Sequence, residues 1–316
     1  FMIPLTIKQQ KFSKLSAVMN PELQAIQKKY KNKRDQESML KMQEEKLDKN
    51  DGLAKLMMIF RILSEVIEVK EPGSEKTIIH HPMKYDFEDY RADVNTSNYM
   101  VSKLLAQNTG QCHSMPLLFL ILAEELETEA FWCFSPSHSF IKFQDKQNRW
   151  YNIELTQGAV VTDDFYMNSG FIKSKAIQTG IYPNPQTMKQ TIAHMLNDLS
   201  AYYISRYGYD HFIEENSNLV LRYSPSDLTA YQHYANTCTV QTLYVIDACG
   251  RPPKEQLPEY PQAHRLFKKM LQSYEKIDSL GYEEMPAEIY HNWLKQVDKA
   301  KTLPENQPSP IIQIKN

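Results

Sequence analysis

Between Gly110 and Leu155 the sequence leaves little choice of fold. Cys112 opens an apolar run through Leu117, Leu118, Leu120, Ile121 and Leu122 to Leu126. That is the pattern of a buried helix, with Pro116 in the first turn, where a missing N–H costs nothing. Gly110 stops the shorter helical pattern from Tyr99 to Leu105 and permits a close backbone approach. Ala130–Phe134, His138–Phe143 and Trp150–Leu155 then read as strands, the last two joined by the polar turn Asp145–Arg149. A helix followed by successive strands defines an α+β fold on an antiparallel sheet, rather than a βαβ repeat.

The flanks differ in character. Residues 1–50 hold 11 Lys/Arg and 6 Asp/Glu, a net of +5 that leaves -7 for the rest of this 316-residue chain. A formal net charge of -2 gives no global attraction to nucleic acid, so none is expected as a partner. Pro4, Asn20 and Pro21 mark helix starts, and Leu23, Ile26 and Tyr30 share one face. Residues 1–50 therefore read as a basic helical hairpin. It is either a solvated pair or a surface lying on anionic lipid, and membrane contact is expected only there.

Residues 53–71 read as a buried helix passing into a strand near Val66–Val69, and Thr77–His80 as another short strand. Tyr85–Tyr90 reads as an irregular turn. From Thr187 the pattern becomes helical: Met188–Tyr207, Asp210–Arg222, Leu228–Asp247, His264–Asp278 and Pro286–Lys299. Tyr and Ala at packing positions admit a short tetratricopeptide-like stack. The expected division is a basic hairpin over 1–50, a core over 53–186, a helical region over 187–303 and a loose tail over 304–316.

Cys112, Cys133, Cys238 and Cys249 form no CxxC pair. His80, His81, Asp86, Glu88 and Asp89 lack the spacing of a ligand set, and no Gly-rich phosphate loop follows a strand. Neither a metal nor a cofactor is expected. No apolar run approaches the roughly 18 residues of a membrane span. The start at Phe1 reads as truncated or replaced, so the compartment stays open, cytoplasmic or exported, and nothing sets an oligomeric state.

A thiol becomes a nucleophile as its thiolate, which a helix N-terminus and a neighbouring imidazolium favour. Cys112 is placed for the first effect. His138, 26 residues on, begins a strand, and Glu154, 16 residues further, lies across the hairpin. Antiparallel pairing would let Glu154 hold the far nitrogen of the ring. His113 is a second candidate base, without such a third group. Gln111 and Asn108 are candidate oxyanion donors. Trp132, Phe140 and Trp150 are candidates for lining a pocket, or simply core residues. An inert cysteine at a helix start and an ordinary His–Glu pair account for the same spacing.

Two stretches carry resemblances. Thr109-Gly-Gln-Cys-His-Ser114, Ser137-His-Ser-Phe-Ile141 and Trp150-Tyr-Asn-Ile-Glu-Leu-Thr156 resemble the transglutaminase-like, papain-like cysteine superfamily, with similar character over about residues 77–185. The resemblance implies a helix bearing nucleophile Cys112 on an antiparallel sheet, His138 as base and Glu154 as acid, where that family usually has Asp. It implies thioester chemistry on a peptide or protein substrate, most simply hydrolysis of a peptide or amide bond. The alternative is a non-catalytic binding or scaffold protein with a helical peptide-binding region. Separately, Pro4–Gln10, Asn20-Pro-Glu22, Ile26–Tyr30 and Met39–Glu45 resemble the cytoplasmic hairpin of YidC-type membrane protein insertases. That resemblance, over residues 2–47, implies a fused or chimeric chain.

Overall fold

A computed structural model describes residues 51–70, 77–169, 172–286, 288–292 and 294–295. The basic hairpin over 1–50 and the tail over 304–316 lie outside the described residues. The rest is a mixed α+β fold, an antiparallel sheet followed by a helical region.

Helix α1 (Gly52–Ser64) starts where Asp51 accepts from the Leu53 N–H, and it buries Leu56, Ile59, Ile62 and Leu63. Strands β1 (Ile67–Lys70) and β2 (Thr77–His80) form an antiparallel pair. Strand β3 (Lys84–Tyr85) pairs in parallel with β4 (Thr109–Gly110), with Tyr85 opposite Gly110. Between them lie a 3-10 turn (Thr96–Tyr99) and α2 (Val101–Gln107). Helix α3 (Ser114–Glu125) follows at once and buries nine residues from Ser114 to Ala123, as a helix apolar on all sides must. It begins two residues after Cys112, which sits in the turn at its mouth.

The main sheet runs β5 (Phe131–Ser135), β6 (His138–Gln144), β7 (Trp150–Glu154), β8 (Ala159–Val161), each antiparallel to its neighbour. Its alternation sorts the side chains by face. Trp132, Ile141, Phe143 and Ile153 join Leu117, Leu118, Phe119 and Leu122 of α3 in the principal core. The opposite face carries Cys133 and Phe140, covered by α4 (Asp163–Ser169), whose Tyr166 ring stacks on Phe140 at 3.7 Å. Lys142, on that face, is 4% exposed and is held by Asp163 at 2.7 Å. Helix α4 was not foreseen. Its stretch is short, and it is drawn to the sheet by Tyr166 and Asp163 rather than by any period of its own.

After α5 (Ser174–Thr179) come α6 (Met188–Tyr207), α7 (His211–Tyr223), α8 (Leu228–Ala248) and α9 (Pro261–Ser279). The first begins with a capping box of Thr187 and Gln190, and the next two with Asp210 and Asp227 as caps. The chain then returns to the core, where Met285, Tyr290 and Leu294 pack in the principal cluster. The two parts separated at 186/187 in the sequence thus share one core.

Gly110 fixes where the α3 mouth can lie. A Cβ there would sit 2.7 Å from Ser114 Oγ and 2.8 Å from Leu104 Cδ1. Gly110→Ala should therefore lower stability by about 1–3 kcal/mol through overpacking, measured by urea unfolding. A change within a few tenths would show that the approach is slack.

Candidate active site

Three of the side chains singled out by sequence come together at the mouth of α3. The register Ile141↔Ile153 carries Glu154 to the position beside Phe140, on the same face as His138 and two residues along. His138 Nε2 lies 2.7 Å from Glu154 Oε2. The carboxylate is 1% exposed and fully engaged: Tyr166 Oη donates to Oε2 at 2.8 Å and the Thr156 N–H to Oε1 at 2.8 Å. The other ring nitrogen, Nδ1, faces the thiol and the hydroxyl of Tyr290, 3.1 Å away. Tyr290 Oη in turn lies 3.7 Å from Cys112 Sγ, as a donor to it, and 3.5 Å from Tyr85 Oη. Ser139 Oγ donates to the Cys112 carbonyl at 2.6 Å and accepts from Trp132 Nε1 at 3.0 Å, tying the mouth of α3 to the sheet.

The electrostatics follow from these contacts. Burial opposes ionisation of the Cys112 thiol, but the His138 cation, its hydrogen bond, the Tyr290 hydroxyl and the Ser139 N–H outweigh it and hold the thiol below its ordinary value. Burial likewise penalises the His138 cation, yet Glu154 and then Cys112 push the ring up to about 10. Burial would raise Glu154, and His138, Tyr166 and Thr156 hold it below the usual carboxylate range instead. By contrast, burial pushes the Cys133 thiol up, far from reactivity.

Linkage gives each group its sign. The contribution of raised His138 to stability is present below about 6.5 and is lost as pH climbs through about 10. That of depressed Glu154 is present above the ordinary carboxylate value and is lost as pH falls through its folded one.

Cys112 and His138 open onto a cavity of about 430 Å³ that Gln111 and Tyr290 also line. Its far wall comes from α6 and α8, so the helical region closes the site. Gln111 is 1% exposed; its Oε1 accepts the His113 N–H, so any donor it offers is Nε2. Asn108 stands elsewhere, capping α2 in the left-handed region at φ 53° with Nδ2 donating to Pro82 O at 2.9 Å. His113 turns away from the sulfur, with Nε2 2.7 Å from Asp198 Oδ1. Trp132 and Phe140 are buried in the sheet layers, and Trp150 lies against Phe131 at 5.7 Å; none of the three lines the cavity. Sequence reasoning missed Tyr290 and Tyr166. No local pattern marks Tyr290, 178 residues from the cysteine it touches, whereas Tyr166 was within reach as an aromatic close to the strand carrying Glu154.

The chain matches no family model, no curated protein and no solved structure. The transglutaminase-like resemblance therefore remains one of short motifs, with no comparison behind it. The insertase resemblance is set aside, and with it the reading of the chain as a chimera. Among the described residues no helix is long and apolar enough to cross a membrane, residues 1–50 lie outside them, and no family model matches there either. Membrane contact, expected through residues 1–50, finds no membrane-spanning helix to support it among the described residues.

Tyr290→Phe removes a donor from the sulfur. It should move the midpoint of the pH–rate profile for iodoacetamide alkylation of Cys112 upward by about one unit, the size expected for a hydrogen bond to a charged group. An unmoved midpoint would mean that Tyr290 packs beside the sulfur without stabilising its anion.

Proposed function

We propose that this protein is a cysteine-dependent acyl-transfer enzyme that hydrolyses a peptide or amide bond through a thioester. The single observation supporting the reading is the sulfur of Cys112 at a helix mouth, hydrogen-bonded to a ring that Glu154 holds from its other side.

The chemistry follows from the residues. The thiolate of Cys112 attacks the substrate carbonyl, and negative charge develops on its oxygen beside the first turn of α3, where backbone N–H groups and the cavity-lining Gln111 amide offer donors. His138, protonated at Nδ1, passes that proton to the departing amine as the C–N bond breaks. The neutral ring then takes a proton from water, whose oxygen attacks the thioester carbonyl. The acid leaves and the sulfur returns to its starting state. Glu154 keeps the ring turned so that Nδ1 faces the sulfur throughout, and Tyr166 and Thr156 keep Glu154 charged. The reading needs only this local arrangement. It requires neither a transglutaminase-like core nor a tetratricopeptide-like stack in α6–α9.

An acyloxymethyl ketone probe should label Cys112, and the Cys112→Ala chain should stay unlabelled; equal labelling of both would remove the nucleophile. Glu154→Gln keeps the shape while freeing the ring, and should slow probe capture by about 10²-fold, within the range of general acid–base effects. An unchanged rate would leave Glu154 a structural carboxylate.

A further inference from the structure

The cavity has a second polar wall, built by the helical region. Helix α6 supplies His194, Asn197 and Asp198, and α8 with its cap supplies Asp227 and His233. Asp227 is already occupied. Its Oδ2 takes His194 Nδ1 at 2.6 Å, and its Oδ1 takes Asn197 Nδ2 at 3.0 Å and the Ala230 N–H at 2.9 Å. His194 and Asp227 thus form a closed ion pair that caps α8.

What remains on this wall is lopsided. Asn197 is 2% exposed, and the bond to Asp227 fixes its amide so that Oδ1 is left buried with no donor. Asp198 Oδ1 lies 2.7 Å from His113 Nε2, a nitrogen that is buried without a hydrogen bond. His233 Nδ1 is also buried without a partner. Burial, with the His194 cation nearby, holds that ring down at about 4, so it is neutral near pH 7 and offers a lone pair. The wall thus combines a carboxylate with the uncapped oxygen of Asn197 and the unpartnered Nδ1 of a neutral ring, an acceptor when Nε2 carries the proton. An anion would face Asp198. Among the described residues no three His, Cys, Asp or Glu side chains are placed to hold a metal ion. The chemistry that answers such a wall is a compact group with a positive charge and several N–H donors.

We propose that Asn197, Asp198 and His233 form a subsite for a primary ammonium group on the substrate, so that the enzyme selects acyl groups bearing a free amine close to the reacting carbonyl, of which an aminoacyl group is the simplest. The inference rests on Cys112 being the acyl-transfer nucleophile. The wall is near enough, because His113, the residue directly after Cys112, is the one whose ring reaches Asp198.

The test is calorimetric titration of the full-length Cys112→Ala chain at about pH 6.5, where an α-amine is charged. L-alaninamide should bind at least about tenfold more tightly than N-acetyl-L-alaninamide, the scale of one lost charge-assisted contact. Asp198→Asn in the same background should erase that preference while leaving the acetylated amide unaffected. Equal affinity of the two amides, or binding of neither, overturns the subsite, and this comparison needs no second variant to fold. Failure of the acyl-transfer reading looks different: alaninamide would still outbind its acetylated form while Cys112 of the unaltered chain took no label.

Discussion

A buried carboxylate must find partners, and the structure around the cavity is arranged to supply them to Glu154. At 1% exposure an isolated anion would be untenable. Three donors answer it: the ring of His138 across the hairpin, the hydroxyl of Tyr166 from α4 and the N–H of Thr156. Each partner fixes something else. The Tyr166 ring locks against Phe140, which seats α4 on the sheet. The His138 ring is turned so that Nδ1 points to the sulfur and to Tyr290, which joins Met285 and Leu294 in the core. The geometry at Cys112 is therefore a consequence of satisfying one charge.

The local part of this arrangement was legible in the sequence. A cysteine at the start of an all-apolar helix, a histidine opening a strand and an acid across a short polar turn are encoded within about fifty residues, where period and turn chemistry suffice. Elements 5 through 7 of the sheet fell within a residue or two of their expected bounds, and the helices of the C-terminal half did nearly as well. What could not be read were contacts made over long separations. Tyr290 reaches Cys112, and Asn197 and His233 reach the cavity it opens onto, only after the helical region folds back, and nothing in the spacing of Asn197 or His233 announces an unpartnered atom. Asn108 illustrates the opposite error. Its proximity to Cys112 in sequence drew it toward the site, whereas the left-handed conformation that ends α2 commits its amide to Pro82.

The same folding-back brings together residues from both sides of the 186/187 boundary. Sequence texture turns from mixed to helical at about residue 187, yet the cavity is walled from both sides of that boundary and the principal core takes in Met285, Tyr290 and Leu294. The helical region is thus part of the site. Under the proposed function, this cavity would separate the reacting group, Cys112, from the selecting group on its opposite wall. Substrate choice would then vary through α6 and α8 without disturbing the ion pair on the sheet.

The central claim is that Cys112 is a thiolate paired with the His138 cation at neutral pH. Ultraviolet difference absorbance between the unaltered chain and Cys112→Ala, followed as pH is varied, measures it directly. The account predicts a thiolate signal already present at about pH 7 and lost only on acidification, well below the ordinary thiol value of about 8.5. A signal that appears only as pH rises through that ordinary value would contradict it.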